Sequence, residues 1–147
     1  MKILAIASGG GHWTQLRRLA CAFDGHEVVY VSVTHAYADE VAPCRLCVVN
    51  DANRWNKIGV VILAIKLIRI VMREKPHIAI STGAAPGFLA LVLAKWRGAR
   101  TIWIDSLANV ERLSLSGRLV HRYADLWLTQ WPELELPGGP YYRGAIL

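Results

Sequence analysis

Apolar runs and glycine- or proline-marked breaks alternate along the whole chain, and the runs fall into two kinds. Short runs rich in branched and aromatic residues read as strands: "KILAIA" (2–7), "HEVVYVSV" (26–33), "RLCVVN" (45–50), "HIAIS" (77–81), "ARTIWID" (99–105) and "LWLTQ" (126–130). Longer segments between them read as helices: Gly11 to Phe23, residues 58–75, Pro86 to Trp96 and "LSGRLVHRYA" at 115–124. The helix over 58–75 closes near Pro76, because proline disfavours helix at the residue before it. After the "LPGGP" loop at 136–140, "YYRGAIL" has room for one more short strand. Strands that alternate with helices predict an α/β fold, a Rossmann-like parallel sheet with helices on both faces. A single domain over 1–147 accommodates them, since the chain carries no repeat and no low-complexity tract.

Composition narrows the setting. Hydrophobic residues make up 54% of the 147 and charged residues 19%, which excludes a disordered chain. Lys and Arg outnumber Asp and Glu by 17 to 11, a net +6 that suits an anionic partner: nucleic acid, sugar nucleotide or phospholipid headgroup. The basic residues are scattered and form no recognisable nucleic-acid module, so nucleic acid is the weakest of the three. Cys21, Cys44 and Cys47 cannot all pair within one chain, and no second Cys/His pair follows Cys44-x-x-Cys47 at a zinc spacing. Reduced cysteines of a cytosolic protein are the expectation, and no metal site is expected. No secretory signal is read at the start, where a strand follows Lys2 at once.

The run "IGVVILAIKLIRIVMREK" is broken by Lys66 and Arg69 and makes a poor membrane-spanning segment. Lys66, Arg69 and Arg73 share one helical face. Two readings stay open: a core helix with a solvated basic stripe, or a helix lying on an anionic bilayer.

In folds of this class ligands bind beyond the carboxyl ends of the strands. Three polar loops belong to that edge: "SGGGHWTQ" (8–15), "STGAAPG" (81–87) and "DSLANVERLSLSG" (105–117), with "QWPELE" (130–135) beside the third. The first is not a P-loop, since no lysine follows its glycines. It also fails the dinucleotide fingerprint. Gly9 and Gly11 fit, but Thr14 takes the third glycine's place and Glu27 lies at the start of the second strand rather than its end. What remains is a backbone free to approach a ligand, with His12 at the helix entrance. Histidine can accept a proton from a nucleophilic hydroxyl, or it can simply cap and pack. In the second loop Ser81, Thr82 and Gly83 leave a strand, and Pro86 suits a first helical turn. In the third, Asp105 either orients a hydroxyl or acts as a base, or it caps the following turn; Arg112 either holds an anion or is exposed.

The segments "SGGGHWTQLRRL", "HIAISTGAAPGFLALVLAKWRGARTIWIDSLANVERLSLSGRLVHRYADLWLTQWPEL" and "YYRGAIL" together resemble the acceptor-side, membrane-recruiting subunit of two-component UDP-sugar glycosyltransferases. Its eukaryotic members serve the UDP-N-acetylglucosamine transferase of dolichol-linked oligosaccharide synthesis, and bacterial relatives act in exopolysaccharide and capsule synthesis. The resemblance implies the N-terminal half of a GT-B glycosyltransferase, with a separate donor-binding subunit as the C-terminal half. It implies that Gly9, Gly10, Gly11, His12 and Thr14 line the cleft with Ser81, Thr82 and Gly83. Ser106, Arg112 and Glu133 are expected beside them. His12 or Asp105 is the expected catalytic base, and a UDP-sugar the donor, with no cofactor and no strict need for a metal.

The implied acceptor is a sugar on a polyprenyl diphosphate, and the implied location is the cytoplasmic face of the membrane, bound peripherally. The first strand begins at residue 2, so no N-terminal anchor of the eukaryotic kind is read, which favours the bacterial branch as an expectation. A non-catalytic acceptor-holding scaffold for a catalytic partner is the alternative.

Overall fold

The computed structural model describes residues 1–146. Strands β1 (Lys2–Ile6), β2 (Glu27–Ser32), β3 (Arg45–Val48), β4 (Ile78–Ser81), β5 (Arg100–Ile104), β6 (Leu126–Thr129) and β7 (Tyr141–Tyr142) form one sheet in the order β3-β2-β1-β4-β5-β6-β7. Every pairing is parallel. The α/β, Rossmann-like parallel sheet read from the alternation of runs is therefore the fold, and the tail after "LPGGP" supplies the seventh strand.

Side-chain alternation in the strands sorts two cores. Leu4, Ile6, Val29, Val31, Ala79 and Trp103 face one way and pack with α3 (Lys57–Glu74) and α4 (Ala84–Trp96). Ile3, Ala5, Tyr30, Ile80 and Ile104 face the other way, toward Trp13 and Leu16 of α1 (Gly11–Arg18) and Val41 of α2 (Ala38–Val41). Both faces are covered, which is why the strands read as unbroken apolar runs instead of alternating ones. Cys44 packs on the second core and Cys47 on the first, so the sheet separates the two thiols.

Three segments differ most from the expected elements. The helix expected over 11–23 ends at Arg18 and continues as a 3-10 turn at Ala20–Phe23, which tightens the winding and carries Phe23 into the core. The helix expected over 115–124 is α5 (Leu115–Leu119) followed by a 3-10 turn at Val120–Arg122. The segment 35–41, assigned no element from sequence, holds a 3-10 turn (His35–Tyr37) and α2.

Helix α3 has two apolar faces. Leu63, Leu67, Ile70 and Val71 are buried, while Ile58, Val61, Ile62, Ile65, Ile68 and Met72 are exposed on the opposite side. At 100° per residue the exposed set spans about a third of the circumference, with Lys66, Arg69 and Arg73 along one flank. Those three line a groove of about 450 Å³ with Arg45 and Cys47 of the edge strand β3. The basic stripe thus borders an uncovered apolar face instead of forming a purely polar surface. No helix among the described residues is long and apolar enough to cross a membrane.

Candidate functional site

Chain order reverses between β1 and β4. From β1 the chain builds outward through β2 and β3, then crosses back to β4 on the other side of β1. Loops leaving β1 and β4 therefore meet at the switch point, whose crevice is the usual ligand position in such sheets. The glycine loop leaves β1 and the Ser-Thr-Gly loop leaves β4.

Two reciprocal hydrogen bonds tie these loops together. His12 Nδ1 lies 2.9 Å from the Thr82 carbonyl oxygen, and Thr82 Oγ1 donates to the His12 carbonyl at 2.7 Å. A carbonyl oxygen only accepts, so Nδ1 carries the hydrogen and Nε2 is left with a lone pair. Among the described residues Nε2 has no hydrogen-bond partner. Gly83 is what admits the ring: a Cβ there would collide with the imidazole, and its φ of 142° is foreign to side-chain-bearing residues. Ser81 is buried, accepts from Gly83 N–H at 3.2 Å, and is crowded by Gly87, where any side chain would strike its hydroxyl.

Asp105, expected as a base or a cap, sits among donors of its own strand and loop. It is 1% exposed, and its Oδ1 accepts from Trp103 Nε1 at 3.1 Å and Ser114 Oγ at 2.6 Å. Its Oδ2 accepts from Ser114 N–H at 2.9 Å and Asn109 Nδ2 at 3.0 Å. A carboxylate offers about four acceptor positions, so these donors leave none for a substrate proton. Asp105 thereby folds the loop 105–114 back on itself. Gly117 fits against it because a Cβ would overlap Oδ1.

Behind the crevice runs a buried amide network that the sequence did not reveal. Gln15 Oε1 accepts from Leu107 N–H at 3.2 Å and Gln130 Nε2 at 2.6 Å, while Gln15 Nε2 donates to Ser106 Oγ at 3.3 Å. Gln130 also donates to the Asp105 carbonyl at 2.9 Å and accepts from Ile146 N–H at 2.8 Å. Helix α1, the 105–107 loop, the end of β6 and the tail are thus one unit. Ser106 is drawn into this network beside Gln15, three residues along α1 from His12.

The remaining expected residues lie outside this cluster's contacts. Gly9 is half-buried, and Gly10 and Gly11 are exposed at the loop surface. Thr14 is exposed and donates to the Gly10 carbonyl at 3.3 Å, so it closes the first helical turn. Arg112 and Glu133 are exposed, and neither makes a hydrogen bond or ion pair among the described residues.

Seven parallel strands in this order, with a histidine held between two glycine loops at the switch point, define a Rossmann-like α/β domain. Solved structures bear out the fold: Acinetobacter baumannii MurG superposes with a TM-score of 0.71 over 98% of this chain and 44% of its own, at 11% identity. The UDP-N-acetylglucosamine 2-epimerase of Rickettsia bellii gives 0.68 over 90% and 39%, at 16% identity. The chain belongs to the family described as oligosaccharide biosynthesis protein Alg14 like, whose model matches residues 49–142. Among curated relatives, the UDP-N-acetylglucosamine transferase subunit ALG14 of Eremothecium gossypii is 34% identical over 77 residues, 48% of this chain and 34% of that protein. The Yarrowia lipolytica subunit of the same name is 35% identical over 78 residues, 46% and 34%. The chain spans about a third of the length of these relatives, which are fungal.

Proposed function

We propose that this chain is the acceptor-side subunit of an inverting glycosyltransferase, active with a separate donor-binding subunit that supplies the other wall of the cleft. The observation that carries the reading is the His12–Thr82 pair, which leaves Nε2 free at the crevice where a GT-B half meets its substrate. In this mechanism an acceptor-sugar hydroxyl attacks the anomeric carbon of a UDP-sugar. The new C–O bond forms as the bond to UDP breaks, and UDP leaves with that electron pair. Nε2 of His12 takes the hydroxyl proton, and the Thr82 carbonyl steadies the resulting imidazolium through Nδ1–H. Helix N-termini and basic groups of the partner stabilise the departing diphosphate, so the scheme needs no metal and no cofactor.

The acceptor is a sugar on a polyprenyl diphosphate, used in polysaccharide or glycolipid synthesis; the exopolysaccharide and capsule branch stands within this proposal. Gly9, Gly10, Gly11, Thr14, Ser81, Thr82, Gly83, Ser106, Arg112 and Glu133 are the residues assigned to substrate. The chain binds peripherally at the cytoplasmic face of the membrane, and the exposed apolar face of α3 with its basic flank supports this docking. The same face favours a second reading, a scaffold that docks and holds the acceptor while the partner carries all chemistry.

Reconstitution with the donor-binding subunit tests both. His12→Ala is expected to lower kcat about 10²–10⁴-fold, the usual worth of a positioned base. A variant that raises the acceptor KM and leaves kcat intact would instead establish the scaffold. The chain without a partner is expected to be inactive, and full activity from it alone would refute the two-subunit reading.

A further inference from the structure

Tyr37 stands outside every role assigned above. It closes the 3-10 turn after β2, where Thr34 caps the turn by accepting from Ala36 N–H at 3.2 Å. Its ring lies flat on Trp13 of α1, with centroids 4.3 Å apart and planes 9° from parallel. Trp13 is itself pinned, since its Nε1 donates to Glu40 at 2.8 Å. This stack holds the phenol over the glycine loop. Gly10 N–H donates to the Tyr37 hydroxyl at 3.1 Å, and a Cβ at Gly9 would come within 3.3 Å of the same oxygen. Because β2 neighbours β1, Tyr37 flanks the loop on one side while Thr82 and Gly83 flank it on the other.

The hydrogens decide what the phenol can do. A backbone N–H only donates, so Gly10 fixes the Tyr37 oxygen as its acceptor. The phenolic hydrogen has no acceptor among the described residues, and the side chain is only half-buried. Donation into a hydroxyl oxygen polarises its O–H bond and strengthens it as a donor. Stacking on Trp13 alone would be served by phenylalanine. We propose that Tyr37 contacts the acceptor directly, donating its phenolic hydrogen to an oxygen of the sugar-diphosphate head bound over the glycine loop. This rests on the acceptor-side reading given above.

The test is an NMR titration of the full chain with a soluble short-chain probe, farnesyl-diphospho-N-acetylglucosamine. Tyr37→Phe keeps the stack and removes only the hydroxyl, so its thermal midpoint should match wild type while the probe binds about tenfold more weakly, the scale of one well-made hydrogen bond. Site-specific 3-fluorotyrosine at position 37 separates contact from buttressing, because a more acidic phenol is a better donor and a poorer acceptor. Tighter binding is expected if the phenol donates to the ligand. Weaker or unchanged binding would mean that it only supports Gly10, and would overturn the proposal. Equal affinity of wild type and Tyr37→Phe would also overturn it and leave the acceptor-side reading standing. A wild-type chain that neither binds the probe nor shifts the Gly9–Gly11 amides would overturn both.

Discussion

A methyl group at Gly83 would occupy the space of the His12 ring, and that makes this glycine a sharper probe than any other at the site. Gly83→Ala must displace the imidazole or the loop, breaking the Nδ1 bond to Thr82 that fixes the tautomer. We expect roughly 1–3 kcal/mol of lost stability, from the clash and from a φ that alanine resists. If His12 is the base, kcat measured with the donor-binding subunit should fall about a hundredfold with it. Gly98→Ala, in the exposed turn between α4 and β5 at the other end of the sheet, is the control. Its φ is 85° and a Cβ there meets nothing within 4 Å, so it should cost about 1–2 kcal/mol and little kcat. Urea unfolding and steady-state kinetics on the pair check this, and equal kcat in both variants would sever His12 from catalysis.

The same residues show what a sequence reveals of a site. Glycines beside a histidine at a helix entrance leave a local trace, and His12, Thr82 and Gly83 were legible from it. The standing of Asp105 was not, because its donors come from Trp103, Asn109 and Ser114 and only the folded loop gathers them. Gln15 and Gln130 lie 115 positions apart, and nothing local to either announces the other. Tyr37 was missed for a related reason: its turn is too short to leave a period.

At the scale of elements, legibility followed length. The strands and the long helices α3 and α4 carry enough residues for a period to emerge. Helix α2, with four residues, and the two-residue β7 are held by what they pack against. Helix α3 shows the limit of pattern reading from the other direction. Its apolar residues spread well beyond one face, which the sequence alone reads either as a core helix with a basic stripe or as a membrane-facing one. The fold buries one side and leaves Ile62 45% and Ile65 44% exposed on the other. Beyond its N-terminus Trp55 is 79% exposed and carries the Arg54 guanidinium 4.6 Å above its ring. If this face docks on a bilayer, Ile62→Asp with Ile65→Asp should weaken partitioning onto anionic vesicles by about thirtyfold, each lost aliphatic side chain contributing about 1 kcal/mol. The fold should persist, since neither position is in the core. Vesicle sedimentation reads the effect, and unchanged partitioning would remove α3 from the membrane.

Across the whole molecule the two ends of the sheet do different work. The carboxyl end holds the crevice, and the amino end holds an ionic hub at Glu74. This carboxylate closes α3, where the helix dipole disfavours a negative charge. Lys2 at 3.4 Å, Arg45 at 2.7 Å and Arg73 at 2.7 Å surround it and join β1, β3 and α3. Burial pushes its pKa up, but the Arg73 hydrogen bond, the Arg45 charge and the Lys2 hydrogen bond outweigh burial, and the net shift is downward. The unfolded chain therefore holds the Glu74 proton more tightly than the folded one. The stabilisation is complete above the ordinary glutamate pKa of about 4.3 and is lost as pH falls through the lower folded value. Glu74→Gln should cost about 1–2 kcal/mol at pH 7, less than for a fully buried pair because Arg45 and Arg73 are more than half exposed and return to water. The gap between wild type and variant should hold to pH 5 and close toward pH 3. Urea unfolding at the three pH values measures it. A gap that persisted at pH 3 would mean that Glu74 stabilises by packing rather than by charge.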